Sequence, residues 1–236
     1  MKTAITLAER GWLPDLALRA GIRQMVARRH RDMSAGDATH RQRLKEDFTR
    51  SLSGSAIAVQ TDAANQQHYE VPAALYERAL GPRLKYSSCY YPTPDTTLAE
   101  AEDAMLALTC ERADLADDMD VLELGCGWGS LTLWMAERYP ASRITAVSNS
   151  ASQRAFIEGR ARDRGLTNVQ VLTVDINDFD APGTYDRIVS VEMFEHLRNW
   201  PLAFERVAGW LRPEGRAFLH VFCHREQPYF YEDHGD

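Results

Sequence analysis

The sequence predicts a doubly wound α/β protein: a mainly parallel sheet with helices on both faces, preceded by a helical extension. Three observations carry this expectation. Short apolar runs alternate with helical stretches from Asp120 onward, the first run opens into a glycine-rich turn, and the residues before it are patterned as helices.

Taken in order, residues 13–33 and 71–81 have helical spacing of their apolar side chains. Tyr91-Pro92-Thr93-Pro94 then demands an extended, turn-rich segment, because proline lacks an amide donor and biases the residue before it away from the helix. This break separates an N-terminal helical extension, residues 1–94, from a core, residues 95–236. The core opens on Thr97 to Glu111, where Leu98, Ala101, Met105 and Leu108 share a face and Asp95 or Thr96 supplies the cap. Strands follow at Val121–Leu124, Ile144–Val147, Val169–Val174, Arg187–Val191 and Ala217–Phe222, with helices at 129–139, 150–164 and 201–211. Open sheets of this kind bind ligands outside the carboxyl ends of their strands, so each candidate residue is judged by that position.

Composition narrows the function classes. The 236 residues are 44% hydrophobic and 26% charged, which fits a globular protein and excludes disordered, collagen-like and disulfide-stapled chains. No 18-residue apolar run and no charged-then-apolar leader is present, so neither a membrane span nor a secretory signal is expected and the expected compartment is cytoplasmic. Cys89, Cys110, Cys126 and Cys223 lie far apart without CxxC spacing, as reduced thiols do. The net charge of −7 is uneven: residues 1–50 carry 11 Lys and Arg against 6 Asp and Glu, leaving 16 against 28 for residues 51–236. The basic excess, from Arg19 to Arg50, is interleaved with Leu16, Leu18, Ile22, Met25 and Val26. A solvated basic face over an inward apolar stripe is the preferred reading, a weak seat on anionic lipid the alternative. The acidic remainder argues against a nucleic-acid partner.

Residues 121–130, Val-Leu-Glu-Leu-Gly-Cys-Gly-Trp-Gly-Ser, run from a strand through Gly125, Gly127 and Gly129 into a helix. Glycines let the backbone approach a ligand closely and the helix start offers free amides, so a nucleotide-type ligand is implied. Dinucleotide binding prefers G-x-G-x-x-G and an acid at the end of the next strand. Here the spacing is G-x-G-x-G and the second strand ends in Ser148-Asn149-Ser150. With Glu123 inside the strand, the segment resembles the first motif of S-adenosylmethionine-dependent methyltransferases.

Separate motifs in order make the resemblance specific. His68-Tyr69-Glu70, Leu80-Gly81-Pro82, Tyr86-Ser87, Leu98-Ala99-Glu100-Ala101, Leu124 to Gly129, Gln153 and Ser190 to His196 follow one another as in the cyclopropane-fatty-acid-synthase-like methyltransferases. Cys110-Glu111-Arg112-Ala113, Thr145 to Ser150, Phe156-Ile157-Glu158 and the set Glu192, Glu195 and His196 are similar to the coclaurine N-methyltransferase branch. The resemblance covers about residues 12–236 and implies a Rossmann-like methyltransferase sheet, S-adenosyl-L-methionine as cofactor, a small amine as substrate, and residues 1–94 as part of the cover over both. It places Gly125, Gly127, Tyr86 and Ser87 at the methionine part of the cofactor, Asn149 and Gln153 at its ribose or amino-acid groups, and Asp175 and Ile176 at its adenine.

Methyl transfer from a sulfonium needs an aligned nucleophile, excluded water and a route for one proton. An amine has no lone pair until it is deprotonated. Glu192, Glu195 and His196 follow the fourth strand at spacings that would cluster on one face of a helix, where two carboxylates attract a cation and the histidine takes the proton or orients an acid. Tyr90, Tyr91, Trp128, Phe194 and Trp200 are candidate aromatic walls, although most aromatics of a chain this size are core.

Two other readings stay open. Modification of a lipid alkene, as in cyclopropane-fatty-acyl-phospholipid synthases, uses a bound bicarbonate whose surroundings map by resemblance to Ser88, Glu195 and His220; Ser88 replaces a common Cys and Glu192 a common Gly. The chain could instead be a non-catalytic, cofactor-binding interaction domain. His220, Cys223 and His224 lack a fourth ligand and are not read as a metal site. A homo-oligomer is compatible with the sequence. Sheets of this class have seven strands, and the fourteen residues after Phe222 are too few for two more strands with their turn and helix, so the C-terminal strands are expected to be missing.

Overall fold

The computed structural model describes residues 2–34, 36–59, 72–225 and 228–229. The chain forms two compact units, one made of residues 1–51 with 223–236 and the other of Leu52–Phe222. The division therefore falls upstream of the Tyr91 to Pro94 break.

The first unit is helical: α1 (Lys2–Glu9), α2 (Asp15–Met33) and α3 (Ala38–Leu52). Only α2 matches a helix expected from the sequence. On α3 the apolar stripe Leu44, Phe48 and Leu52 is one residue wide, which hides it from a periodicity search. Its start carries a signal all the same: Asp37 Oδ1 accepts a hydrogen bond from the His40 amide at 2.8 Å, as a helix-capping aspartate does.

The second unit holds the sheet. The helix α4 (Ala73–Ala79) lies within the expected span 71–81, while the motif His68-Tyr69-Glu70 lies outside the described residues. The next helix, α5 (Leu98–Arg112), is capped by Thr97 and not by Asp95 or Thr96. Thr97 Oγ1 accepts from the Glu100 amide, and Glu100 Oε2 accepts from the Thr97 amide, so two orphan donors are satisfied reciprocally.

The chain then alternates: β1 (Asp120–Leu124), α6 (Ser130–Arg138), β2 (Arg143–Ser148), α7 (Ala151–Asp163), β3 (Val169–Thr173), β4 (Tyr185–Val191), a 3₁₀ turn (Phe194–His196), α8 (Trp200–Trp210) and β5 (Leu211–His220). Among the described residues the five strands are all parallel, in the order β3-β2-β1-β4-β5. This is the doubly wound, Rossmann-like sheet expected. Leu122, Leu124, Val147 and Ile188 face one apolar cluster with Val207 and Trp210 of α8, whereas Val121, Ile144 and Val189 face another with Leu106 of α5 and Met135 of α6. Both faces of the sheet are covered, which is why its strands read as continuous apolar runs.

β5 begins at Leu211, six residues before the expected Ala217, and ends at His220. Its register passes from Tyr185 opposite Leu211 to Arg187 opposite Arg216, so residues 212–215 bulge out against one residue of β4. Pro213 and Gly215 in that bulge suppress the strand signal. At the opposite end from the site, Asp120 accepts from Arg143 and Arg212, and Asp186 from Arg212 and the Asp120 amide, tying the starts of four strands together. Among the described residues no helix is long and apolar enough to cross a membrane.

The start of α6 tests the packing directly. Gly129 has φ +80°, and a Cβ there would stand 2.6 Å from Ile157 Cγ1 of α7. Replacing Gly129 with Ala adds the cost of a left-handed backbone to overpacking between two helices, and is expected to destabilise the fold by about 2 kcal/mol or more. The urea midpoint measures it; a midpoint within error of the parent protein contradicts this packing.

Candidate active site

The site forms where the central strands end. β1 gives way at Gly125, and the amides of Gly125 and Cys126 both donate to Val147 O at 3.0 Å, which ties this turn to β2. Gly125 has φ +79°, and a Cβ there would stand 2.7 Å from Met193 Cγ, just beyond β4. A Cβ at Gly127 would stand 3.0 Å from the Tyr86 ring. These close approaches gather three separate segments: the turn after β1, the turn after β4 and the stretch leading to α5.

That stretch continues into Ser87, whose hydroxyl accepts from Lys85 Nζ, and Ser88, whose amide donates to Glu192 Oε1 at 3.4 Å. The Glu192 amide in turn donates to His220 O at 2.7 Å, and Glu192 Oε1 lies 4.0 Å from His220 Nε2. Tyr86, Ser87, Gly125, Gly127 and Glu192 are therefore neighbours, with His220 at the end of β5 among them.

Asn149 is half-buried just past β2. Gln153 is 1% exposed; its Oε1 accepts from Ser148 Oγ at 2.6 Å, while its backbone N–H donates to Ser150 Oγ, the cap of α7. Gln153 Nε2 is buried with no hydrogen-bond partner among the described residues. Past β3, Asp175 Oδ1 accepts from the Asn177 amide at 2.8 Å and Ile176 packs against the cluster around Ile188. Arg206 of α8 donates to the carbonyls of Ile176, Asn177 and Phe179, which holds this turn in place.

Glu192, Glu195 and His196 do not line one face of a helix. Only a single 3₁₀ turn forms, because the chain is pulled out of helical geometry directly after it: the Arg198 and Asn199 amides donate to Ile57 O, and Leu197 pairs with Ala58. Glu192 itself has φ +53°. The two acids consequently bracket the end of β5, Glu192 beside His220 and Glu195 through Oε1, which accepts from the Phe222 amide at 3.1 Å. Glu195 Oε2 is buried with no hydrogen-bond partner among the described residues. The His196 side chain is exposed. Of the aromatics, Trp128 packs edge-on to Phe156 and beside Tyr76, and Phe194 is enclosed by Trp200 and Phe204, so both are core, while Tyr90 and Tyr91 are exposed.

The family model described as mycolic acid cyclopropane synthetase matches residues 58–235. The chain belongs to this family. Within the mycolic acid cyclopropane synthetase family it is similar to (S)-coclaurine N-methyltransferase of Thalictrum flavum subsp. glaucum, 42% identical over 95% of this chain and 62% of that protein. It is also 37% identical to the cyclopropane-fatty-acyl-phospholipid synthase of Escherichia coli (strain K12), over 66% of this chain and 40% of the relative. A crystal structure of coclaurine N-methyltransferase bound to N-methylheliamine and SAH superposes with a TM-score of 0.93 at 38% identity, covering 98% of this chain and 66% of that one. The chain thus spans less than two thirds of the length of these relatives.

Two charged groups of this family member escaped the sequence reading. Lys85 is 4% exposed, and burial pulls its ammonium below the ordinary lysine range, opposed by nearby Cys89, Glu192, Glu102 and Glu123. Its signal was its place directly before Tyr86-Ser87. Glu123 on β1 was noted only as part of the glycine motif. It is 4% exposed, accepts from Thr132 Oγ1, and burial pushes its carboxyl up to about 8, partly offset by the Thr132 hydroxyl and the Lys85 charge.

The raised value has a definite pH consequence. Between its ordinary value of 4.5 and about 8, Glu123 holds more proton in the folded than in the unfolded chain. Its contribution therefore lowers stability progressively as pH rises through that window and is flat above it. Glu123→Gln is expected to remove this slope, so that its urea midpoint gains on the parent's between pH 5 and pH 8.5. A gap that stays constant with pH contradicts a buried, proton-holding Glu123.

Proposed function

We propose that this chain carries an S-adenosylmethionine-dependent methyltransferase site acting on an amine nitrogen of a small molecule. The observation that carries the reading is the pair of carboxylates at the end of β5 beside the glycine turn, with Glu195 Oε2 buried and unpaired. A buried acceptor without a donor is costly, and an ammonium N–H is the donor that would relieve it. Similarity to coclaurine N-methyltransferase over nearly the whole chain supports the same class of substrate.

The residues present fit the cofactor. Gly125 and Gly127 let the turn after β1 pass close under Met193 and Tyr86, and Gln153 Nε2 is a buried donor in want of an acceptor. Gly125, Gly127, Tyr86 and Ser87 would hold the methionine part, Asn149 and Gln153 the ribose or amino-acid groups, and Asp175 with Ile176 the adenine. When bound, S-adenosylmethionine supplies an activated methyl group on a sulfonium. The protein's part is to bind the ammonium form of the substrate between Glu192 and Glu195, take its proton at Glu195 Oε2 and leave the nitrogen lone pair facing the glycine turn. His220 beside Glu192 and the Ser88 amide hold the second carboxylate in place. The free cysteines Cys89, Cys110, Cys126 and Cys223 support a cytoplasmic location.

Incubation with cofactor labelled on the methyl group, offered pooled secondary and tertiary amines or phospholipid vesicles, tests the reading. Label is expected in the amines; label confined to lipid would transfer the site to alkene modification. Glu195→Gln is expected to lower turnover about 10²-fold, as removal of a general base does, with S-adenosylhomocysteine affinity within about twofold of the parent by calorimetry. Unchanged turnover would remove Glu195 from the chemistry.

A further inference from the structure

We propose that Glu102 of α5 is a positioning residue for the segment Tyr86 to Ser88, acting through the turn from Gly81 to Lys85. The inference rests on the reading of Tyr86 and Ser87 as cofactor-binding and of the Ser88 amide as a partner of Glu192, and names the group that sets where this segment sits.

Glu102 is fully buried, yet among the described residues its carboxylate faces no guanidinium or ammonium at hydrogen-bond distance. Its partners are backbone amides: Oε1 accepts from the Gly81 and Lys85 amides, each at 3.1 Å, and Oε2 from the Arg83 amide at 2.8 Å. One side chain thus gathers three donors of a five-residue turn that has no regular structure of its own. The turn includes Leu84 at φ +52°, a backbone that a leucine adopts only when its surroundings hold it there. Gly81 fits the same contact, since a Cβ at that position would collide with Glu102 Oε2. The helix beneath is anchored by Leu106 and Cys110 in the core. From this clamp the chain runs directly into Lys85 Nζ on Ser87 Oγ, the Tyr86 ring over Gly127 and the Ser88 amide on Glu192. A shift of the turn would move all three together.

Both oxygens of Glu102 serve as acceptors, so an amide of the same shape puts an NH₂ against a backbone N–H. Glu102→Gln breaks the clamp from the helix side without opening a cavity, and Gly81→Ala breaks it from the turn side. Thr97→Ala is the control: it weakens the same helix by removing its cap while leaving the turn untouched. Two readouts are needed, amide hydrogen exchange over residues 81–88 in the ligand-free protein and S-adenosylhomocysteine affinity by calorimetry. In Glu102→Gln and Gly81→Ala, exchange is expected to quicken and the dissociation constant to rise, each by about tenfold, while Thr97→Ala lowers the urea midpoint and changes neither. Unchanged exchange in both variants overturns the proposal whether or not the ligand binds. Faster exchange with unchanged affinity leaves Glu102 a structural clamp and overturns its role at the site. Failure of the parent protein to bind S-adenosylhomocysteine sinks the methyltransferase reading instead, and the exchange arm still decides whether Glu102 holds the turn.

Discussion

Close backbone approach at the end of β1 is the constraint on which the rest of the site depends. A parallel sheet covered on both faces opens only at its strand ends, and here three other segments of the chain must come up against one short turn. Gly125 admits Met193 from beyond β4, Gly127 admits the Tyr86 ring from ahead of α5, and Gly129 admits Ile157 from α7. The Gly125 and Cys126 amides are bound to Val147 O, so the turn cannot retreat to make room. The absence of side chains at these glycines is what lets the protein's own elements meet.

The sheet was legible because burial on both faces writes apolar runs into the sequence, and four of the five strands begin within two residues of the expected positions. β5 was read short because its first half contains a bulge with proline and glycine, residues that argue against a strand when judged locally. Which candidate residues meet at the strand ends was legible, and the directions of their side chains were not. Nothing near Glu195 signals that its helix stops after one turn; the cause is Ile57, some 140 residues earlier, whose carbonyl takes the Arg198 and Asn199 amides. Glu102 was hidden for a similar reason. A glutamate on a helix reads as solvated unless the turn that wraps it, from Gly81 to Lys85, is known to be there.

Three charged side chains, Lys85, Glu102 and Glu123, are buried at the floor of the site, and each is accommodated differently. Glu102 is satisfied by backbone amides, Lys85 by the Ser87 hydroxyl and surrounding acids, and Glu123 by the Thr132 hydroxyl together with a raised affinity for its proton. In a medium of low dielectric these groups feel one another and Glu192 more strongly than they would in water. Lys85 is the member they share, since Glu102, Glu123 and Glu192 all act on its charge.

The backbone of Glu192 has a consequence for how this protein can change. Its left-handed conformation is one that glycine accepts freely and that costs a side-chain-bearing residue of the L series roughly 1 kcal/mol or more. Position 192 is therefore a place where a search for thermostable variants would select glycine, and where such a search would delete the carboxylate next to His220. A gain in backbone stability at this one residue is thus coupled to the loss of a carboxylate from the end of β5.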